Sequence, residues 1–243
     1  MMNQKTIICK IGGKILENPE NIKSTVSQLS QLYKKKVVTR LILIPGGGSN
    51  ANFVRFLQKK LQFNEDLAHW MAVVSMDLNG TGINKKFPNL SILDDFTKLI
   101  KFENGCFIFL PYKFLKENDE LPHSWDVTSD SITLFIAKKI ELDECFLIKD
   151  IDGIYDKSKK IIKKISALEF NEQKRYENLN ESYFPSITSK SVSQPIDPYI
   201  PHLIELYKIP CIIINGKAKS RRILDFFDDS LNEKEKIYSK IVG

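Results

Sequence analysis

Four short segments of this 243-residue chain combine lysine, glycine and carboxylate residues at spacings suited to handling phosphate groups. The first is Lys10-Ile11-Gly12-Gly13. Two glycines let backbone N–H groups approach an anion closely, and the lysine adds a compact positive charge. It is not the end of a Walker A loop, because no glycine lies five residues before Gly13 and Ile15 stands where Ser or Thr is required. The second segment is Pro45-Gly46-Gly47-Gly48-Ser49. Three adjacent glycines lose much chain entropy and leave nothing to pack, so close approach to a ligand explains them better than a turn. No GxGxxG dinucleotide fingerprint occurs. The third is Asp126-Val127-Thr128-Ser129-Asp130-Ser131. An N-cap, by Ser129 or Asp130, would use one of these residues; two carboxylates and three hydroxyls suit organising lysine side chains and a hydrated magnesium ion around phosphates. The fourth runs from Lys149 and Asp150 through Asp152, Gly153 and Tyr155 to Asp156. It reads as an acidic turn with a glycine inside it, and EF-hand calcium spacing is missing.

Each segment follows an apolar run or leads into a helical pattern. Runs too short for helices, at residues 6–11, 40–44, 106–110, 145–149 and 210–214, alternate with helical periods at 21–32, 51–61, 66–78 and 131–140. Continuous apolar strands imply burial on both faces. The expected fold class is therefore α/β, a largely parallel sheet with helices on both sides. In such folds ligands bind beyond the carboxyl ends of the strands, where these segments lie. Residues 157–195 are more polar and read as a hairpin plus a mobile excursion. Neither a repeat nor a linker divides the chain, so two lobes sharing one sheet are expected.

Composition sets outer limits. With 42% hydrophobic residues and few Gly, Pro or Cys, collagen-like, disordered and disulfide-scaffold classes are excluded. The net charge of +6 comes from 31 Lys and five Arg set against 30 acidic residues. The basic residues are scattered in short groups, which reads as solvated surface and not as a nucleic-acid face. No apolar stretch reaches the roughly 18 residues of a membrane span. No secretory leader is evident either, so a cytoplasmic location is expected. Cys9, Cys106, Cys145 and Cys211 are far apart beside apolar runs and read as buried free thiols, with no metal site.

Taken in order, Lys-x-Gly-Gly, Pro-Gly-Gly-Gly, Thr-Ser-Asp-Ser and Asp-Gly-Ile-Tyr-Asp resemble the amino acid kinase family, over about residues 5–224. Residues 68–73 and 121–131 look like the archaeal-type branch of that family that serves the methanofuran pathway. The resemblance implies a three-layer α/β/α sandwich in one domain, residues 1–243, with an acceptor lobe to about residue 140 and a nucleotide lobe from 141. It implies an ATP- and Mg²⁺-dependent kinase that phosphorylates a small phosphate monoester to a diphosphate, and a homo-oligomer. An acyl-phosphate-forming carboxylate kinase and a non-catalytic nucleotide- or oxyanion-binding protein are the alternatives.

By position, Lys10 would bridge the ATP phosphates, with Gly12 and Gly13 supplying amides and Asp130 holding the lysine. Gly46, Gly47 and Gly48 would hold the acceptor, and Lys149, Asp150, Asp152, Gly153, Tyr155 and Asp156 would line the nucleotide site. Arg55, His123, Asp126 and Ser129 are expected on the acceptor side, the first two at its phosphate. His69, beside Trp70 and Met71, reads as an ordinary packed side chain. A second catalytic lysine has no clean counterpart; Lys14 and Lys190 are the candidates.

Overall fold

The computed structural model describes residues 5–180 and 194–243. The apolar runs form β1 (Thr6–Ile11), β2 (Arg40–Pro45), β4 (Gly105–Phe109), β5 (Cys145–Lys149) and β9 (Cys211–Asn215), with β3 (Ser91–Leu93), β8 (Lys164–Ser166) and β10 (Ser239–Val242) completing one sheet. A separate antiparallel ribbon pairs β6 (Ile154–Tyr155) with β7 (Ile161–Ile162). The eight-stranded sheet has the order β3-β4-β2-β1-β5-β9-β10-β8. It is parallel except where β10 runs against β9. This is the sandwich that two-faced burial of the strands demands.

The helices are α1 (Gly13–Leu16), α2 (Pro19–Lys34), α3 (Gly48–Leu61), α4 (Glu65–Lys86), α5 (Phe96–Lys101), α6 (Tyr112–Glu117), α7 (Ser129–Lys139), α8 (Ala167–Arg175), α9 (Ile200–Tyr207) and α10 (Arg222–Phe226). Alternation along β1 divides the core. Ile7, Cys9 and Ile11 pack with Ile22, Val26 and Leu29 of α2 and Ile223 of α10. Ile8 faces the other way, toward Val73 and Met76 of α4, the length of α7, and Leu203 of α9. Lys10, two residues on, shares that second face. Helix α2 starts where Asn18 accepts the Glu20 and Asn21 amides at 2.9 and 3.1 Å with Pro19 at the first turn, an arrangement that both caps the helix and presets its φ.

One expectation changes within the described residues. Up to residue 180 the polar stretch is more ordered than an excursion: past the hairpin it builds β8 and α8, which bury only Ile165, Ala167 and Phe170, and the excursion expected over residues 181–193 lies outside the described residues. So small an apolar content gives no readable period. Lys190 lies outside the described residues. Among the described residues, no helix is long and apolar enough to cross a membrane.

Candidate active site

Lys10 lies near the end of β1 and Lys149 ends β5. The strands are neighbours with Lys10 opposite Leu147, so the two-residue period puts Lys149 on the same face, one step further along. Both ammonium groups meet one carboxylate. Lys10 Nζ is 2.6 Å from Asp130 Oδ1 and Lys149 Nζ is 2.5 Å from Asp130 Oδ2. All three side chains are buried. Burial pushes the Asp130 carboxyl up, but the two lysines outweigh it and hold the group at about 2. Burial also lowers the Lys10 pKa against the pull of Asp130. The pairing supplies the second buried lysine that residue spacing alone did not reveal.

Asp130 is aimed by the start of α7. Thr128, and neither Ser129 nor Asp130, is the cap: its Oγ1 accepts the Asp130 amide at 3.3 Å. Behind it stands Asp197, whose carboxylate accepts from the Thr128 amide and hydroxyl (both 2.9 Å), the Ser131 amide (3.0 Å) and the Ser131 hydroxyl (2.7 Å). It also accepts the Ile200 amide at 2.9 Å, tying α7 to the start of α9. Burial, reinforced by Asp130, raises the Asp197 pKa against these donors. An aspartate placed three residues before an apolar helix was the available sequence signal for this second cap.

The glycine loops after β1 and β2 pack on each other. A Cβ on Gly13 would lie 2.8 Å from the Gly48 Cα, and Gly48 itself has φ +53°. Close approach of backbone to backbone thus accounts for glycine at both positions, independently of any ligand. From α4, Asn79 Nδ2 donates to the carbonyls of Gly46 (2.7 Å) and Gly47 (2.9 Å). The Gly12 and Gly46 amides are engaged by the Ile148 and Ile11 carbonyls. Those of Gly13, Gly47 and Gly48 have no acceptor among the described residues, which leaves them available to an anion.

A cavity of about 250 Å³ opens over this cluster. Its floor holds Lys10, Gly12, Gly13, Gly47, Gly48, Ser129, Lys149 and Asp150, and its far wall holds His69, Ala72, Val73 and Met76 of α4 with Arg55, Trp125, Val127 and Ile132. The Arg55 guanidinium lies 4.3 Å from the centre of the Trp125 ring, and the Trp125 Nε1 donates to Gln58 at 2.6 Å. Arg55 has no carboxylate partner among the described residues. Lys14 is half-exposed at the rim, 3.4 Å from Glu17.

Several expected residues stand elsewhere. His123 is outside the cavity wall, its Nδ1 2.6 Å from Asp66 and its Nε2 2.7 Å from Asp119, with its ring stacked on His69 at 4.4 Å. Two carboxylates saturate both ring nitrogens, leaving none for a phosphate. Asp126 is exposed, and only its backbone is engaged: its amide donates to the Ser124 hydroxyl at 3.3 Å and its carbonyl accepts the Tyr199 amide. Asp152 pairs with Arg222 at 3.3 Å and accepts from Asn215 at 3.1 Å. Gly153 packs against Ser239, Tyr155 lies in β6, and Asp156 accepts the Lys160 amide at 2.9 Å. These four form the turn and ribbon beyond β5, beside the cavity. The sequence gives no signal for Asn79 and none for the role of Trp125, and His69, expected as an ordinary packed side chain, lines the cavity.

The sequence pattern of the amino acid kinase family matches residues 5–215. The chain belongs to that family. This amino acid kinase is 32% identical over 241 residues to [5-(aminomethyl)furan-3-yl]methyl phosphate kinase of Methanocaldococcus jannaschii, covering 97% of each chain. It is 25% identical over 230 residues to a uridylate kinase of Sulfurisphaera tokodaii, covering 90% of this chain and 93% of that one. The UMP kinase of Ureaplasma parvum has the same fold, with a TM-score of 0.67 at 18% identity over the full length of both chains, and the uridylate kinase of Archaeoglobus fulgidus has a TM-score of 0.64 at 17% identity, covering 98% of this chain and 100% of that one. The family consists of ATP-dependent phosphotransferases, and the kinase carries what that chemistry needs: fixed cations and free amides in a buried site, ready for charge shifting between oxygens.

Proposed function

We propose that this kinase transfers the γ-phosphoryl group of ATP to the phosphate of a small phosphate monoester, giving a diphosphate and ADP, and that [5-(aminomethyl)furan-3-yl]methyl phosphate is the acceptor. The observation that carries this reading is the cavity between the two buried lysines and the Arg55–Trp125 wall, taken with a near-full-length relative named for that substrate. An acceptor phosphate oxygen attacks the γ-phosphorus in line, and the bond from that phosphorus to the β-bridging oxygen breaks. A phosphate nucleophile is already anionic, so no general base is required. Lys10 and Lys149 neutralise the transferring group while Asp130 fixes their positions, and the Gly13, Gly47 and Gly48 amides complete the cradle. Arg55 meets the acceptor phosphate, its guanidinium kept oriented by Trp125.

Nucleotide binds beyond β5, where Asp150 lies on the cavity floor and Asp152, Gly153, Tyr155 and Asp156 shape the neighbouring turn. Among the described residues no three metal-ligating side chains converge, a donor set that fits magnesium carried in by the phosphates with a carboxylate such as Asp150 touching its water shell. When bound, the ion supplies charge neutralisation to the phosphates. The exposed apolar side chains of α3 and α4, Phe53, Phe56, Leu67, Val74 and Leu78, support assembly with a second copy of the chain.

The deciding experiment follows ATP consumption across a panel of phosphate monoesters, carboxylates and nucleoside monophosphates, with phosphorus NMR of the product. A new diphosphate resonance from a furan or other small monoester is expected. A hydroxylamine-reactive acyl phosphate, or ATP binding without turnover across the panel, would overturn the reading.

A further inference from the structure

On the cavity wall, α4 presents His69, Ala72, Val73 and Met76, positions one turn apart on a single helical face. Three are apolar and one is not. His69 is buried, and neither ring nitrogen has a hydrogen-bond partner among the described residues. Its ring is wedged between the stacked His123 at 4.4 Å and the edge-on Trp70 at 5.1 Å. A buried imidazole left unpaired beside open space has an unmet bonding capacity that an occupant of the cavity can satisfy. Its place also fixes which part of the occupant it meets. Ala72, whose carbonyl is the neighbour of Gly47 in the anion-binding loop, lies one turn from His69, about 5 Å along the helix. That is about the span of a five-membered ring with one substituent.

We propose that His69 is a specificity-determining residue, whose imidazole accepts a hydrogen bond from an amine carried by the acceptor at the end remote from its phosphate. This rests on the phosphate-monoester reading above and adds to it the group that is read. The choice of an amine over an anion follows from the surroundings. Burial, and next the neighbouring His123, lower the His69 pKa to about 4, so near neutrality the ring is uncharged and offers a lone pair. An uncharged ring gives little to a second anionic group. The charged and titratable groups facing it are His123, Asp119 and Asp66 behind the ring and Lys116 on α6. Asp66 and Asp119 hold His123 by both nitrogens, so His123 locks the ring plane of its neighbour and takes no part in the bond itself.

The test is calorimetric binding of two compounds, [5-(aminomethyl)furan-3-yl]methyl phosphate and the analogue with methyl in place of aminomethyl, to the wild type, His69→Ala and His69→Gln. The wild type is expected to prefer the amine by about tenfold or more, as a site built around one hydrogen bond discriminates against a ligand lacking the partner. His69→Ala removes that preference by weakening the amine alone, and His69→Gln, which keeps an acceptor, restores part of it. Equal weakening of both compounds in His69→Ala would assign the residue a merely structural role and overturn the proposal, as would a preference that survives the substitution or failure of the wild type to bind either compound. Adding ATP separates the two readings: His69-dependent binding without phosphoryl transfer leaves this inference standing and removes the proposed reaction.

Discussion

At the scale of single residues, the site depends on one carboxylate serving two ammonium groups. Asp130→Asn leaves both lysines buried without a counter-ion, so a loss of about 3 to 5 kcal/mol in urea unfolding is expected. Lys10→Ala and Lys149→Met each remove one fixed charge from the transfer path, and kcat is expected to fall by about 10² to 10³ while the fold survives, as checked by steady-state kinetics and circular dichroism. Turnover close to wild type in either variant would dismiss the paired-lysine site. Away from the cavity, burial raises the Asp77 carboxyl to about 6, more than the Tyr112 amide lowers it, with Asp94 adding repulsion. Because its folded pKa exceeds the ordinary 3.8, the folded state holds the extra proton, and stability present at low pH is lost as pH rises through about 6. Asp77→Asn is therefore expected to stabilise the protein by about 1 kcal/mol near pH 7.5, discounted for its partial exposure, and by little near pH 3.5. Melting temperatures at the two pH values check this. Lys10 and Asp130 were legible as local motifs beside glycines and hydroxyls. The role of Lys149 beside them was not, because it follows from the β1–β5 register, which no local pattern records.

At the scale of elements, the five long strands and four main helices were visible because each carries its own period. The short β3, β8 and β10 were not: three or four residues cannot establish an alternation, and these strands exist because a neighbour's edge offers hydrogen bonds. The glycine loops were legible as unusual, but one cause of them was not, since the contact between Gly13 and Gly48 appears only once β1 and β2 lie side by side. Asn79 belongs to the same lesson, an unexceptional helix residue that becomes a brace for the loop. Asn79→Ala removes two hydrogen bonds to the Gly46 and Gly47 carbonyls. A loss of about 1 to 3 kcal/mol is expected. If, as proposed, the loosened loop serves the acceptor, acceptor KM should rise more than ATP KM; initial-rate measurements with each substrate varied decide it. His69 and His123 exchanged their expected places for a similar reason: which of two neighbouring rings faces the cavity is set by the helix-to-loop packing around Asp66 and Asp119.

At the scale of the whole molecule, α4 is apolar on more than one side. One face closes the cavity and core, and Leu67, Val74 and Leu78 remain exposed on another, near Phe53 and Phe56 of α3. Val74→Glu with Leu78→Glu is expected to convert an assembled form to a monomer in sedimentation velocity, and an unchanged mass would rule this face out as the contact. The sheet that carries the site is continuous, and β1 and β5 are adjacent inside it, hydrogen-bonded and buried on both faces. Lys10 and Lys149 therefore ride on one stiff plate, with no hinge along the β1–β5 seam between them. Under the proposed reaction, the parts left to open and close around the substrates are those above the plate, the glycine loops, the 118–128 segment and the turn beyond β5. In amide exchange the two lysine strands should then open only with the entire molecule, while those coverings exchange early and slow when substrate is bound.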